Sequence, residues 1–402
     1  MKVYLTGLSD ALIFLTCLYG EMKKEDLLTE NIPGRKEYTE NYLKRTLSET
    51  VKIQELKYAR NKSDGTYIRL GFPKGMVRAM CLSQELFWHF EMLAGDEQNR
   101  YRGSAPVQHR RRNLSKICSM IYCTGTPVDF FYHEFIDTFL GESIKCEAAG
   151  LRKKTIFDDD GKRLSAREIL SRLSPDEDMF FTNKALLGRA GEDMAGITTS
   201  SRYYGMLLKN KSAFLVYYID ETRYRWNRES EAQQKNRISG YLKNTFGEER
   251  FRDPSAILFI KDPEIYNAVL NPRYNTVAPV RPNLVFEKSY LLPITKSYGN
   301  LLQLILLSDG DRKLSQKILK EAYKEGAAFD GISQGIKIFS LLLSEESKML
   351  LAKEYSKKEP VILLIHPWQE EAFKNFFKTN AEFITVTEEE FNFYADEIIM
   401  EG

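Results

Sequence analysis

Residues 56–71, LKYARNKSDGTYIRLG, read as a β-hairpin inside a region that is otherwise helical and basic. Lys62-Ser63-Asp64-Gly65 is turn chemistry, because Gly65 takes the positive φ of a tight turn without steric cost. The flanks alternate, with Leu56 and Tyr58 before the turn and Tyr67 and Leu70 after it. Arg60, Lys62 and Arg69 are expected at or near the tip. On these residues alone the hairpin is either a solvated surface element or the wing of a DNA-binding module, and its context decides between them.

Upstream, residues 9–20 read as a helix with Ser9 as N-cap and Gly20 as stop. EMKKEDLLTE (21–30) reads as a second short helix with Met22, Leu27 and Leu28 inward, and Pro33-Gly34 breaks the chain after it. Thr39 then caps a third helix, ENYLKRTLSETV. Its Tyr42, Leu43, Leu47 and Val51 are expected on the inner face, with Asn41, Lys44, Arg45 and Ser48 on the outer. Three helices followed by a hairpin is the order of a winged helix-turn-helix, whose third helix enters a major groove while the wing touches the backbone beside it. The same order also fits any three-helix unit that ends in a hairpin.

Charge distribution separates these readings better than net charge does. The whole chain of 402 residues carries a formal charge of only +2. Residues 35–74 nevertheless hold ten Lys/Arg against five acids, and residues 100–116 hold six against none. The last 44 residues hold ten acids against two lysines. A basic N-terminal portion and an acidic C-terminal end point to one end facing phosphate. His109-Arg110-Arg111-Arg112 open a helix expected from Val107 to Tyr122, where the macrodipole disfavours positive charge, so an external anion or acids elsewhere in the chain must answer them.

The chain is long enough for two or three domains, and its 43% apolar and 28% charged composition is that of a globular protein. The expected division is a winged-helix domain at 1–75, a helical basic connector at 76–150, and an α/β domain at 151–402 with an acidic end. In that last part, RYYGMLLKNKSAFLVYYID reads as a strand hairpin about KNKS, and FFTNKALL, SAILFIKD, NLVFEKSYLLPI, EPVILLIHPW and EFITV as further strands. Helical stretches follow most of them, which argues an α/β sheet that is at least partly parallel. The fold class is therefore a multidomain α+β or α/β chain.

Motifs for chemistry are scarce. No GxxxxGK[ST], GxGxxG or HExxH occurs, GISQG at 331–335 is not read as a nucleophile elbow, and the five cysteines form no CxxC pair. They read as buried, reduced thiols. Asp158-Asp159-Asp160 reads as a turn more readily than as a cation site. A restriction-type nuclease needs an acid on one strand and acid-x-Lys on the next to hold Mg²⁺. The 202–220 hairpin supplies no such set, and Glu229, Glu231 and Lys235 fall on a helix. Tyr203, Tyr204, Tyr217, Tyr218, Tyr224 and Trp226 near Arg202 read as sheet packing ahead of base stacking. ALIFLTCLYG is too short to cross a bilayer, and a cytoplasmic protein is expected.

The winged helix, the GMVRAMCLSQELF helix, the basic HRRRNLSKI helix and the α/β part that follows resemble the replication-relaxation proteins of Gram-positive plasmids and integrative mobile elements. The resemblance covers about the first 130 residues. It implies a DNA-binding accessory of mobile-element replication or transfer, with a second domain that looks like a degenerate nuclease fold without catalytic residues, metal or cofactor. On this reading Asn41, Lys44, Arg45 and Ser48 meet base edges, while Arg60, Lys62, Arg69, Arg110, Arg111 and Arg112 hold phosphate. Expected partners are duplex DNA, a second copy, and a mobile-element protein at the acidic end. Two other classes stay open: a metal-dependent nuclease using Asp220, Glu229 or Glu231, and a non-catalytic interaction scaffold.

Overall fold

The structure, a computed structural model, describes residues 8–19, 21–24, 39–61, 65–71, 74–82, 179–183, 202–221, 226–247, 253–272, 280–294 and 299–401, and positions 109, 110, 113, 114, 116–118, 120, 121, 124 and 126. The chain is mixed α/β and divides into two compact units, Met1–Gly191 and Glu192–Gly402.

In the first unit, α1 (Leu8–Tyr19) buries Leu8, Ala11, Leu12, Ile13 and Phe14. It packs against α2 (Glu40–Lys52), α3 (Lys74–Met80) and the hairpin of β2 (Leu56–Asn61) and β3 (Gly65–Leu70) through β3. A three-residue strand, β1 (Glu21–Lys23), pairs antiparallel with β3, giving the sheet order β1-β3-β2. The expected helix at 21–30 is therefore corrected at its start. Met22 stands in register with Ile68, and β1 satisfies the outer backbone groups of β3, so sheet pairing overrides the helix-forming composition of EMKK. Residues 25–30 lie outside the described ones. Further along, β4 (Met179–Thr182) buries Phe180 and Phe181.

The second unit contains two sheets where the sequence suggested one. In the first, β5 (Gly205–Lys209) and β6 (Ser212–Ile219) form an antiparallel hairpin around Asn210-Lys211. β6, β7 (Ser255–Ile260) and β8 (Ser289–Pro293) then run parallel, joined through α4 (Arg228–Phe246) and α5 (Pro263–Leu270). After α6 (Gly299–Leu306) and α7 (Gly310–Leu319), the pattern recurs. β9 (Gly331–Ser333) and β10 (Ile336–Ser340) form a hairpin, and β10, β11 (Val361–Ile365) and β12 (Ala381–Thr385) run parallel. Helices α8 (Glu346–Ser356) and α9 (Glu370–Phe376) join them, and α10 (Glu388–Glu401) follows. Both sheets thus contain a hairpin continued by two β-α-β crossovers. The β9–β10 hairpin, α7 and α8 are elements the sequence reading did not identify.

Matching helices of the two halves pack together, α5 on α9 and α6 on α10. At the seam, the Tyr266 hydroxyl lies 3.0 Å from Ser344 Oγ, and Gln369 Nε2 donates to Ser344 Oγ at 2.9 Å and to the Leu341 carbonyl at 3.2 Å. Burial raises the Tyr266 pKa well above the ordinary phenol value. A chain crossing also joins the halves, with Leu291 N donating to the Ser344 carbonyl at 3.1 Å.

One buried ionic cluster supports this second half. Lys348, in the first turn of α8, donates to Asp311 in the first turn of α7 and to Asp330 just before β9, both at 2.8 Å. Ser315 Oγ and the Ser340 amide also donate to Asp330, at 3.0 and 2.7 Å. Burial acts to lower the Lys348 pKa, and the two carboxylates outweigh it and raise it. They also explain a lysine at a helix N-terminus, where the macrodipole opposes it.

Candidate nucleic-acid interface

Helix α2 starts where the sequence places it. Thr39 is extended, and its hydroxyl accepts from the Tyr42 amide at 3.3 Å, satisfying one free donor of the first turn. Leu43, Leu47 and Thr50 are buried, while Asn41, Lys44, Arg45, Ser48, Glu49 and Lys52 are exposed. The four residues expected to read bases therefore share the outward face. Tyr42 differs from expectation: it is 48% exposed and belongs to that outer face, with Thr50 taking the inner position. Arg45 Nε donates to Glu49 Oε1 at 2.9 Å along the helix, an exposed pair that holds the guanidinium without burying it.

The hairpin follows α2 directly and is held against it by backbone. Gly71 N donates to the Glu55 carbonyl at 2.8 Å, and Gly75 N to the Gly71 carbonyl at 2.6 Å. A Cβ on Gly71 would lie 2.1 Å from the Gln54 carbonyl oxygen, and one on Gly75 would lie 2.0 Å from that of Glu55. The turn that leaves α2 and the turn that leaves β3 thus touch where no side chain fits, which fixes the hairpin relative to the helix.

Within the hairpin, Arg60 stands opposite Thr66, one pair from the Asn61–Gly65 end, and is exposed. Arg69 does not stand near the tip. It pairs with Lys57 at the open end, on the central strand, and is half-buried. A two-residue period along β3 places Arg69 four residues from Gly65, so its chemistry belongs to the base of the hairpin. Lys62 lies outside the described residues, as do Arg111 and Arg112. Arg110 is helical and half-buried, beside an exposed His109 whose Nε2 is 3.4 Å from Asn113 Nδ2.

In the α/β unit, Glu231 and Glu229, two of the acids weighed for metal chemistry, do not share a face. Glu231 is fully buried on α4, where its carboxylate accepts from the Tyr217 hydroxyl at 2.8 Å and from the Arg202 amide at 3.1 Å. Glu229 is exposed on the same helix, and residues two apart on a helix face different ways. Lys235 lies 3.7 Å from Asp253. Tyr203, Tyr204, Tyr217, Tyr218 and Trp226 are all buried, so this aromatic cluster is core packing; Tyr224 and Asp158-Asp159-Asp160 lie outside the described residues. Of the cysteines, Cys118 is buried, its thiol pushed up to about 12 by desolvation, whereas Cys81 is exposed, contrary to expectation.

Among the described residues, no helix is long and apolar enough to cross a membrane. Compared with known proteins, the chain matches no family model, no curated protein and no solved structure.

Proposed function

We propose that this chain is a sequence-specific duplex-DNA-binding protein whose N-terminal unit is a winged helix-turn-helix, with α2 as the reading helix and β2–β3 as the wing. The observation that carries this reading is the outward face of α2. Asn41, Lys44, Arg45 and Ser48 are exposed together on the helix that runs straight into a hairpin bearing an exposed Arg60. The sheet order β1-β3-β2 supports it, because a short strand after the first helix that pairs with the second hairpin strand is the winged-helix arrangement. Asn41, Lys44 and Arg45 suit base edges, and Arg60 and Lys62 suit phosphate. The accessory role in mobile-element replication or transfer rests on the sequence resemblance. A nuclease role is less well supported, since Glu231 is committed to Tyr217 and Arg202 in the core.

The test is titration of the full chain with random and selected duplexes across a salt series. Expected is binding whose logarithmic affinity falls linearly with the logarithm of salt concentration. Lys44→Ala/Arg45→Ala should weaken it at least ten-fold, with the circular dichroism spectrum unchanged. Absence of duplex binding at low salt would overturn the proposal.

A further inference from the structure

Met400 at 79% and Phe393 at 61% are the most exposed large apolar side chains among the described residues, and both lie on α10. The next two, Ile53 at 51% and Tyr42 at 48%, both belong to α2, Ile53 as its C-terminal cap. At about 100° per residue, the seven-residue step from Phe393 to Met400 and the eleven-residue step from Tyr42 to Ile53 each return to within about 20° of the start. Each helix therefore sets two apolar anchors on one side, with the exposed Arg45–Glu49 pair between them on α2. At about 1.5 Å rise per residue the anchors stand roughly 10 Å apart on α10 and roughly 16 Å apart on α2, so the first pair fits between the second.

The charges around the stripes are opposite. Helix α10 carries Glu388, Glu389, Glu390, Asp396, Glu397 and Glu401 and no Lys or Arg. Glu389 and Asp396 flank the Phe393–Met400 stripe and are exposed. A second α10 laid against this face would be repelled. Helix α2 exposes Lys44, Arg45 and Lys52 against Glu49. We infer that the outward face of α10 docks on α2 of a second copy of this chain, burying Phe393 and Met400 between Tyr42 and Ile53, with acids of one helix facing bases of the other. The contact is heterologous, since the two surfaces differ. Its regulatory consequence rests on the proposed function above: the docked α10 covers Arg45 at the edge of the face that reads DNA, so self-association and duplex binding compete.

Sedimentation velocity of the full chain over a concentration series at low and high salt tests the contact without DNA. Expected is self-association that weakens as salt rises and that falls at least ten-fold in both Phe393→Ser/Met400→Ser and Tyr42→Ser/Ile53→Ser. All four side chains are already exposed, so the folds should persist, with thermal denaturation as the control. A charge exchange adds a second check: Glu389→Lys should associate poorly with itself but pair with Lys52→Glu, one residue from Ile53, in a mixture. A monomer at every concentration, or association that ignores either serine pair, would overturn the inference. Duplex titration is the separate arm: Phe393→Ser/Met400→Ser should bind DNA more tightly than the parent at concentrations where the parent self-associates. Self-association without any duplex binding leaves the docking in place and removes the DNA reading. Duplex binding by a monomer whose affinity ignores the α10 substitutions does the reverse.

Discussion

Arg78, in the last turn of α3, directs both Nε and Nη2 to a single oxygen of Asp10 in the first turn of α1, at 2.9 and 2.6 Å. The carboxylate is 2% exposed and the guanidinium 42%. The two partners therefore contribute unequally. Arg78→Ala leaves a buried carboxylate without this cation and should destabilise by about 3–5 kcal/mol. Asp10→Ala leaves a guanidinium that already reaches water and should cost less. Urea denaturation of the two variants gives the order; equal costs would contradict this account.

Gly75 tests how the hairpin is set against α2. Its missing Cβ is what lets the backbone approach the Glu55 carbonyl. Gly75→Ala should cost about 1–3 kcal/mol through forced displacement. If the hairpin is a wing, the variant should also lose duplex affinity beyond what its stability loss predicts at temperatures where it remains folded.

Lys348 sits between Asp311 and Asp330, and Asp311 Oδ1 is enclosed without a partner. Burial already holds the Asp311 carboxyl above the usual carboxylate range. Lys348→Met removes the one cation and should destabilise by about 3–5 kcal/mol. Adding Asp311→Leu and Asp330→Asn to that variant should recover part of the loss, read as non-additivity in a mutant cycle.

His366 predicts a pH dependence. The ring is buried, and its Nε2 lies 3.1 Å from the Leu342 carbonyl oxygen, so the neutral ring donates there. Desolvation lowers its pKa from 6.5 to about 4. The unfolded chain binds the proton at higher pH than the folded one. The stability from this group is therefore fully present above pH 6.5 and is lost as pH falls from there toward 4, a span of about 3 kcal/mol. His366→Asn should flatten that part of the stability–pH curve, measured by denaturant midpoint; an unchanged slope would refute the assignment.

Much of this architecture is legible because it is local. Thr39 and the Leu43–Leu47 spacing announce α2, Gly65 announces the hairpin, and Asp262-Pro263 announces α5, where Asp262 accepts from the Ile265 amide. Features that depend on distant partners are not. β1 exists because β3 needs a neighbour, and nothing within EMK says so. Arg69 sits at the base and not the tip because hairpin position depends on register, which Lys57 sets from the other strand. Tyr42 faces out although aromatics usually face in, because Thr50 fills the place beside Leu43 and Leu47. The Asp311–Asp330–Lys348 cluster joins three segments, and no short motif marks it.

The recurrence of a hairpin and two crossovers in residues 202–401 also bears on how that unit forms. The β5–β8 and β9–β12 ladders each pair strands that follow one another in the chain, so each half closes its own hairpin and helical crossovers without waiting for the other. Amide protons should accordingly become protected in two waves, one per half. The seam at Tyr266, Ser344 and Gln369 should lock last, as the step that makes unfolding of the two halves cooperative.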